Sequence, residues 1–217
     1  MKEMTLTAHS GAFDTPINSL EFVQTAIKKK PQIIELDITF RSDNTAVMIH
    51  KGRPTKTEGV PFAEALELLK DAPGIRLNID LKATRDLPGL EKLLAEYNMT
   101  DRCFYTGVTR GWIDKVRSTG TLPYYLNTDI PERFRKSERA LTTLARRIKS
   151  LGAVGLNTNY HNLTPEVVEV LHREGVDVSV WTVCDIETAR WVLDCGPDNI
   201  TSANPEVVEK AIKERKK

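Results

Sequence analysis

Glu35 and Asp37 stand two residues apart in Ile33-Ile34-Glu35-Leu36-Asp37-Ile38, a run whose β-branched neighbours read as a strand. Alternation along a strand turns both carboxylates to one face. The pattern recurs in Asn78-Ile79-Asp80-Leu81-Lys82, where Asp80 and Lys82 share the face opposite Ile79 and Leu81. Directly after the first run, Arg41-Ser42-Asp43-Asn44 signals a turn, and Thr45 to Ile49 reads as a second strand ending at His50. This connection is too short for a parallel crossover, so the two strands form an antiparallel hairpin. A turn centred between Asp43 and Asn44 sets His50 opposite Asp37, and opposed residues point to the same face. His9 ends a further short run, Thr5 to Ala8, and Gly11 behind it permits a sharp exit.

Three carboxylates converging on one site push at least one of their number to hold a proton. A hard divalent cation, Mg²⁺ or Ca²⁺, removes that conflict, because both ions prefer oxygen ligands. Two histidines beside such an ion suit general acid and general base work near neutral pH. The set fits phosphodiester hydrolysis, in which the metal neutralises phosphoryl oxygens while one imidazole takes a proton and the other gives one. Blander readings are a buried Asp80–Lys82 ion pair and a structural His9.

Such convergence needs a scaffold that brings strand ends together. Strand-like runs recur at Thr5 to Ala8, Ile33 to Ile38, Leu77 to Leu81, Cys103 to Thr106, Tyr124 to Leu126, Ala153 to Leu156, Val176 to Val183 and Ile200 to Thr201. Each is followed by helical periodicity, starting near Asn18, Pro61, Leu87, Arg110, Pro131, Pro165, Ile186 and Pro205, with Leu141, Leu144, Ile148 and Leu151 as one stripe. Thr164-Pro165-Glu166-Val167-Val168-Glu169 and Asn204-Pro205-Glu206-Val207-Val208-Glu209 are near copies of one helix start. The expectation is an α/β fold, a (β/α)₈ TIM barrel over residues 1–217 as a single domain, with an extra hairpin strand after strand 2. Such barrels carry their sites at the carboxyl ends of the strands.

The 31 basic and 30 acidic residues leave a net charge of +1, which supplies no field for a nucleic acid or an anionic membrane. No run reaches the roughly 18 apolar residues of a membrane span. The sequence therefore reads as cytoplasmic, with a small-molecule substrate and no stable membrane association. Cys103, Cys184 and Cys195 are odd in number and lack Cys-x-x-Cys spacing, which reads as reduced thiols.

At these same residues the sequence resembles the glycerophosphodiester phosphodiesterase family of metal-dependent barrels. The family's ordered motifs correspond here to His9-Ser10-Gly11, Pro16-Ile17-Asn18-Ser19, Glu35-Leu36-Asp37, His50-Lys51, Asp80-Leu81-Lys82, Trp181-Thr182-Val183 and Ser202-Ala203-Asn204-Pro205. The resemblance implies His9 and His50 as the acid/base pair and Glu35, Asp37 and Asp80 as ligands of one divalent cation. It further implies Lys82 as a phosphate contact and Trp181 as a wall for the glycerol moiety. The substrate would be a glycerophosphodiester, released as glycerol phosphate and an alcohol.

Where the family has an arginine this chain has Ser10, where it has a glutamate Ile17, and the aspartate after the second histidine is Lys51. Lys51, or Arg53 beyond it, is offered as the replacement cation, against a solvated-loop reading. Only about ten residues follow the hairpin, where many relatives insert a cap, so an open site is expected. Asn127, Asn157 and Asn159 read either as polyol partners or as turn residues. Two other functions compete: a non-catalytic barrel that binds a phosphorylated ligand, and a phospholipase of related barrel architecture.

Overall fold

The structure, a computed structural model, describes residues 4–215. Strands and helices alternate as β1 (Thr5–Ala8), α1 (Leu20–Lys29), β2 (Ile33–Phe40), β3 (Ala46–Met48), β4 (Val60–Pro61), α2 (Phe62–Leu69), β5 (Arg76–Leu81), α3 (Leu87–Glu96), β6 (Cys103–Val108) and α4 (Ile113–Thr119). They continue as β7 (Tyr124–Asn127), α5 (Glu138–Ser150), β8 (Gly155–Asn159), α6 (Pro165–Arg173), β9 (Asp177–Val183), α7 (Ile186–Cys195), β10 (Asn199–Ser202) and α8 (Pro205–Arg215). Around the barrel the parallel strands run β1, β10, β9, β8, β7, β6, β5, β2, and β2 pairs again with β1 to close the ring. Antiparallel β3 and β4 hang on the outside of β2.

The eight barrel strands are those read in the sequence. All eight residues of β2 are buried, because one face meets the barrel interior and the other meets helices. Ile79 and Leu81 are buried, as their alternation with Asp80 requires. On α5, Leu141, Ala145 and Ile148 are buried while Leu144 and Leu151 pack partly against the same core. Truncating one such buried leucine to alanine costs about 2–5 kcal/mol. The repeated helix starts serve as equivalent joints, with α6 and α8 each beginning at the proline, and Thr164 Oγ1 accepting from the Val167 N–H. After β7 the expected helix at Pro131 is a single 3₁₀ turn, Glu132–Phe134, and α5 starts only where Ser137 caps it.

The hairpin register differs from expectation by one residue. Ile38 opposes Met48, Thr39 opposes Val47 and Phe40 opposes Ala46, so the turn centres on Asp43. Asn44 adopts φ +69°, and the Asn44 N–H donates to Arg41 O while the Arg41 N–H donates to Thr45 O. These bonds close a three-residue loop, Ser42-Asp43-Asn44, with its last residue left-handed, in place of a turn centred between Asp43 and Asn44. Ile49, not His50, therefore stands opposite Asp37, and its N–H donates to Asp37 O at 3.1 Å.

Candidate active site

A cavity of about 310 Å³ opens at the carboxyl ends of the barrel strands. It takes His9 from the end of β1, Glu35 and Asp37 from β2, Asp80 and Lys82 from β5 and its exit, and Trp181 from β9. His50 reaches it despite the shifted register. The ladder stops at Met48, and the Lys51 N–H donates to Ile49 O at 2.9 Å, closing a three-residue turn with His50 at its apex. That turn, rather than strand alternation, brings the imidazole to the cavity. The seven residues that the resemblance implied for the site thus line one space, as do Asn127 and Asn157, whereas Asn159 instead accepts the His161 N–H at 2.9 Å as a turn residue.

Glu35 and Asp37 are buried, and Glu35, Asp37 and Asp80 each offer one oxygen within 4.8 Å of the others. Lys82 Nζ lies 3.0 Å from Asp37 Oδ1 and also pairs with Asp80. Burial holds the Glu35 carboxyl well above the usual carboxylate range, Asp80 and Asp37 add to that, and Lys82 only partly opposes it. Three ionised carboxylates and one ammonium leave a formal charge of −2, which one divalent cation cancels. Oxygen donors with that charge fit Mg²⁺ or Ca²⁺.

His9 Nδ1 lies 2.7 Å from Ser10 O. A carbonyl oxygen only accepts, so Nδ1 carries the proton and the neutral ring keeps its lone pair on Nε2. Nε2 lies 3.9 Å from Glu35 Oε1, on the side of the acidic cluster.

Sequence reasoning left unassigned the residues that hold these groups. Asn18, buried with φ +54°, donates from Nδ2 to Asp37 Oδ2 at 2.7 Å and accepts the Asp37 N–H on Oδ1 at 3.0 Å. Ser10 Oγ donates to Asn18 Oδ1 and accepts from the Asn18 N–H, so the residue in the arginine position is a buried brace for Asn18. A non-glycine residue in left-handed backbone is recognisable in sequence only as an asparagine in a turn, a weak signal. Thr106 Oγ1 lies 2.9 Å from Asp80 Oδ1, and the Gly107 N–H donates to Asn127 Oδ1. Gly107 has φ +73°, and a Cβ there would stand 2.7 Å from Asp80 Oδ1 and 2.4 Å from Leu81 O, so only glycine fits.

Lys51 is not a cation for the cavity. Its Nζ donates to both carboxylate oxygens of Glu58 at 2.8 Å, and Glu58 also accepts the Thr55 N–H. The solvated-loop reading of Lys51 is the one the structure bears out. Ile17, in the glutamate position, is exposed. The chain from His50 to Gly59 forms no helix or sheet, so no folded cap stands on this side of the cavity.

Among the described residues no helix is long and apolar enough to cross a membrane. The sequence profile of the glycerophosphoryl diester phosphodiesterase family matches residues 51–207. A glycerophosphodiester phosphodiesterase of Caldanaerobacter subterraneus subsp. tengcongensis is 23% identical, the match covering 96% of this chain and 97% of that protein. The crystal structure of a glycerophosphodiester phosphodiesterase from Parabacteroides distasonis is similar over 100% of both chains with a TM-score of 0.80 at 20% identity. An Oleispira antarctica phosphodiesterase, solved with the product sn-glycerol-3-phosphate, is similar over 96% of both chains with a TM-score of 0.78 at 18% identity. These likenesses share the closed barrel, and with the family profile matched over most of its length the chain belongs to the glycerophosphoryl diester phosphodiesterase family of enzymes.

Proposed function

We propose that the chain, acting as one barrel domain, hydrolyses glycerophosphodiesters to glycerol phosphate and an alcohol. The observation that carries this reading is two imidazoles, His9 and His50, lining the same cavity as the Glu35, Asp37 and Asp80 cluster. Those three carboxylates would hold one divalent cation, Mg²⁺ or Ca²⁺, which when bound neutralises charge on the phosphoryl oxygens. The product bound by the Oleispira phosphodiesterase supports the same substrate class here.

His9 acts as the base. Its Nδ1–H is anchored on Ser10 O, so Nε2 is free to take the proton from the attacking oxygen, either water or the substrate's own glycerol hydroxyl through a cyclic phosphate. His50, at the apex of its turn, protonates the leaving oxygen. Lys82, held between Asp37 and Asp80, keeps one N–H for a phosphoryl oxygen, and Trp181 walls the glycerol moiety. The substrate is a small soluble diester, so the reading needs neither nucleic acid nor a membrane, and it includes a cytoplasmic location.

The test is a phosphodiesterase assay on glycerophosphocholine, glycerophosphoethanolamine and glycerophosphoglycerol, with and without chelator. Turnover that disappears on chelation and returns with Mg²⁺ or Ca²⁺ is expected. Full activity after exhaustive chelation overturns the metal assignment. Phosphate binding without turnover of any of the three makes the barrel a non-catalytic binder.

A further inference from the structure

The net charge of +1 conceals an uneven distribution around the mouth of the barrel. Segments 49–59, 82–86 and 109–112, beside β2, β5 and β6, carry Lys51, Arg53, Lys56, Lys82, Arg85 and Arg110 against Glu58 and Asp86. Segments 9–19, 160–164, 184–185 and 203–204, beside β1, β8, β9 and β10, carry neither lysine nor arginine, and Asp14 and Asp185 are their acidic residues. One side of the mouth therefore has a formal charge of +4 and the other −2. Segment 128–137 after β7 lies between the two and is close to balanced, with three basic and two acidic residues.

The basic side is braced by its own backbone. Lys51 is engaged by Glu58, and Arg41 donates to Glu58 O and Gly59 O, which closes the segment after His50 on itself. Gly52 packs at the exit of β5, where a Cβ on it would stand 3.5 Å from Lys82 O. Arg85 Nη1 donates to Ser42 O at 3.4 Å and ties the segment after β5 to the hairpin turn. Arg53, Lys56, Arg85 and Arg110 are exposed, and among the described residues no carboxylate pairs with any of them. Like charges held together without counter-ions attract an anion.

In the ring order β5 stands across from β9. With the glycerol moiety against Trp181 on β9 and His50 protonating the leaving oxygen, the alcohol half of the substrate extends over the basic side. The scissile phosphate meets Lys82 inside the cavity, so the four outer cations face whatever charge the alcohol half carries.

We propose that Arg53, Lys56, Arg85 and Arg110 form a basic rim that selects glycerophosphodiesters whose alcohol half bears a negative charge of its own, such as a phosphate monoester, over those whose alcohol half is neutral or cationic. The proposal rests on the phosphodiesterase reading for the direction in which the alcohol half extends.

The kcat/KM values for glycerophosphoinositol 4-phosphate and for glycerophosphoinositol, in saturating Mg²⁺ at low ionic strength, test it, because the two differ only in a phosphate on the alcohol half. A ratio of about tenfold in favour of the phosphorylated diester is expected, the scale of a few partly screened surface charge pairs. Added KCl should bring the ratio toward one as it shortens the Debye length. The double variants Arg53→Gln/Lys56→Gln and Arg85→Gln/Arg110→Gln should each lower the ratio, with turnover of glycerophosphoinositol falling less. A wild-type ratio near one, a ratio insensitive to salt, or a ratio that survives in both folded double variants overturns the rim. If neither diester is turned over, dissociation constants for the same pair by calorimetry decide. The same preference then supports the rim and refutes the phosphodiesterase reading, and equal affinities or no binding overturn both.

Discussion

Asn18 grips Asp37 at two points, donating from its side-chain amide to Asp37 Oδ2 and accepting the Asp37 backbone N–H on the same side chain. One residue outside the barrel sheet thereby fixes both the rotamer and the backbone of a carboxylate inside it. Ser10 fixes Asn18 in turn. A carboxylate so held meets a cation without having to be ordered first.

Asn18→Gly should separate these roles, since glycine accepts the +54° φ and only the side-chain bonds are lost. Hydrogen bonds to a charged group are worth about 1.5–3 kcal/mol each, so a loss of about 2 kcal/mol in a chemical denaturation curve is expected. Divalent-cation affinity should fall about tenfold by calorimetry, in the 10- to 100-fold range usual for residues that orient a ligand. Unchanged cation affinity would show that Asp37 needs no such support.

His50→Ala should lower turnover by about 10²- to 10⁴-fold, the usual contribution of a general acid or base, with cation affinity little changed. Asp37→Ala should lose cation binding first and activity as a consequence. A variant of His50 that loses both together would mean that the imidazole belongs to the metal shell.

The route to His50 marks where the sequence stopped being legible. Alternating carboxylates on Ile33 to Ile38 and Leu77 to Leu81 were readable because a strand has one period, and the recurring strand-helix units made the barrel readable in the same way. Both are local properties summed along the chain. The hairpin register was not readable, because it depends on whether Asn44 turns left-handed, and asparagine tolerates either choice. His50 still arrives in the cavity only because the ladder ends two residues before it. Ser10, Asn18 and Gly107 were illegible for another reason. Their work is done across 8, 19 and 20 residues of sequence, and nothing in spacing or composition reports such a contact.

Acid should loosen the loop behind His50. The Lys51 ammonium first, and then the Thr55 N–H, hold the Glu58 carboxyl down to about 2. With a folded value below the ordinary one, the stabilisation is present above the ordinary carboxylate value and is lost as pH falls through about 2. Glu58 should titrate near 2 by carboxyl-detected NMR, and Lys51→Met should move its midpoint back up toward the ordinary range. Thr55 amide exchange should speed up over the same acidic interval, after correction for the intrinsic rate. A wild-type midpoint at the ordinary value would remove Lys51 and Glu58 as the strut of this loop.

Lys82→Met keeps the methylene stem and removes only the charge, so it separates two tasks of one ammonium. Lys82 lies 3.0 Å from Asp37 Oδ1 and pairs with Asp80, while its own protonation is set by burial, which lowers it, and by those two aspartates, which together raise it. Without the ammonium the carboxylates carry a formal charge of −3, and the buried Glu35 meets more repulsion. Three effects follow: the metal-free protein should melt at lower temperature, Mg²⁺ should bind on the order of tenfold more tightly, and inorganic phosphate should bind on the order of tenfold more weakly in the Mg²⁺-loaded protein. Tightening of Mg²⁺ alone, with phosphate affinity unchanged, would make Lys82 a counter-ion of Asp37 and Asp80 and nothing more. Weakened Mg²⁺ binding would contradict the electrostatic account, because it would mean that the ammonium's positioning of the two aspartates outweighs its competition with the cation.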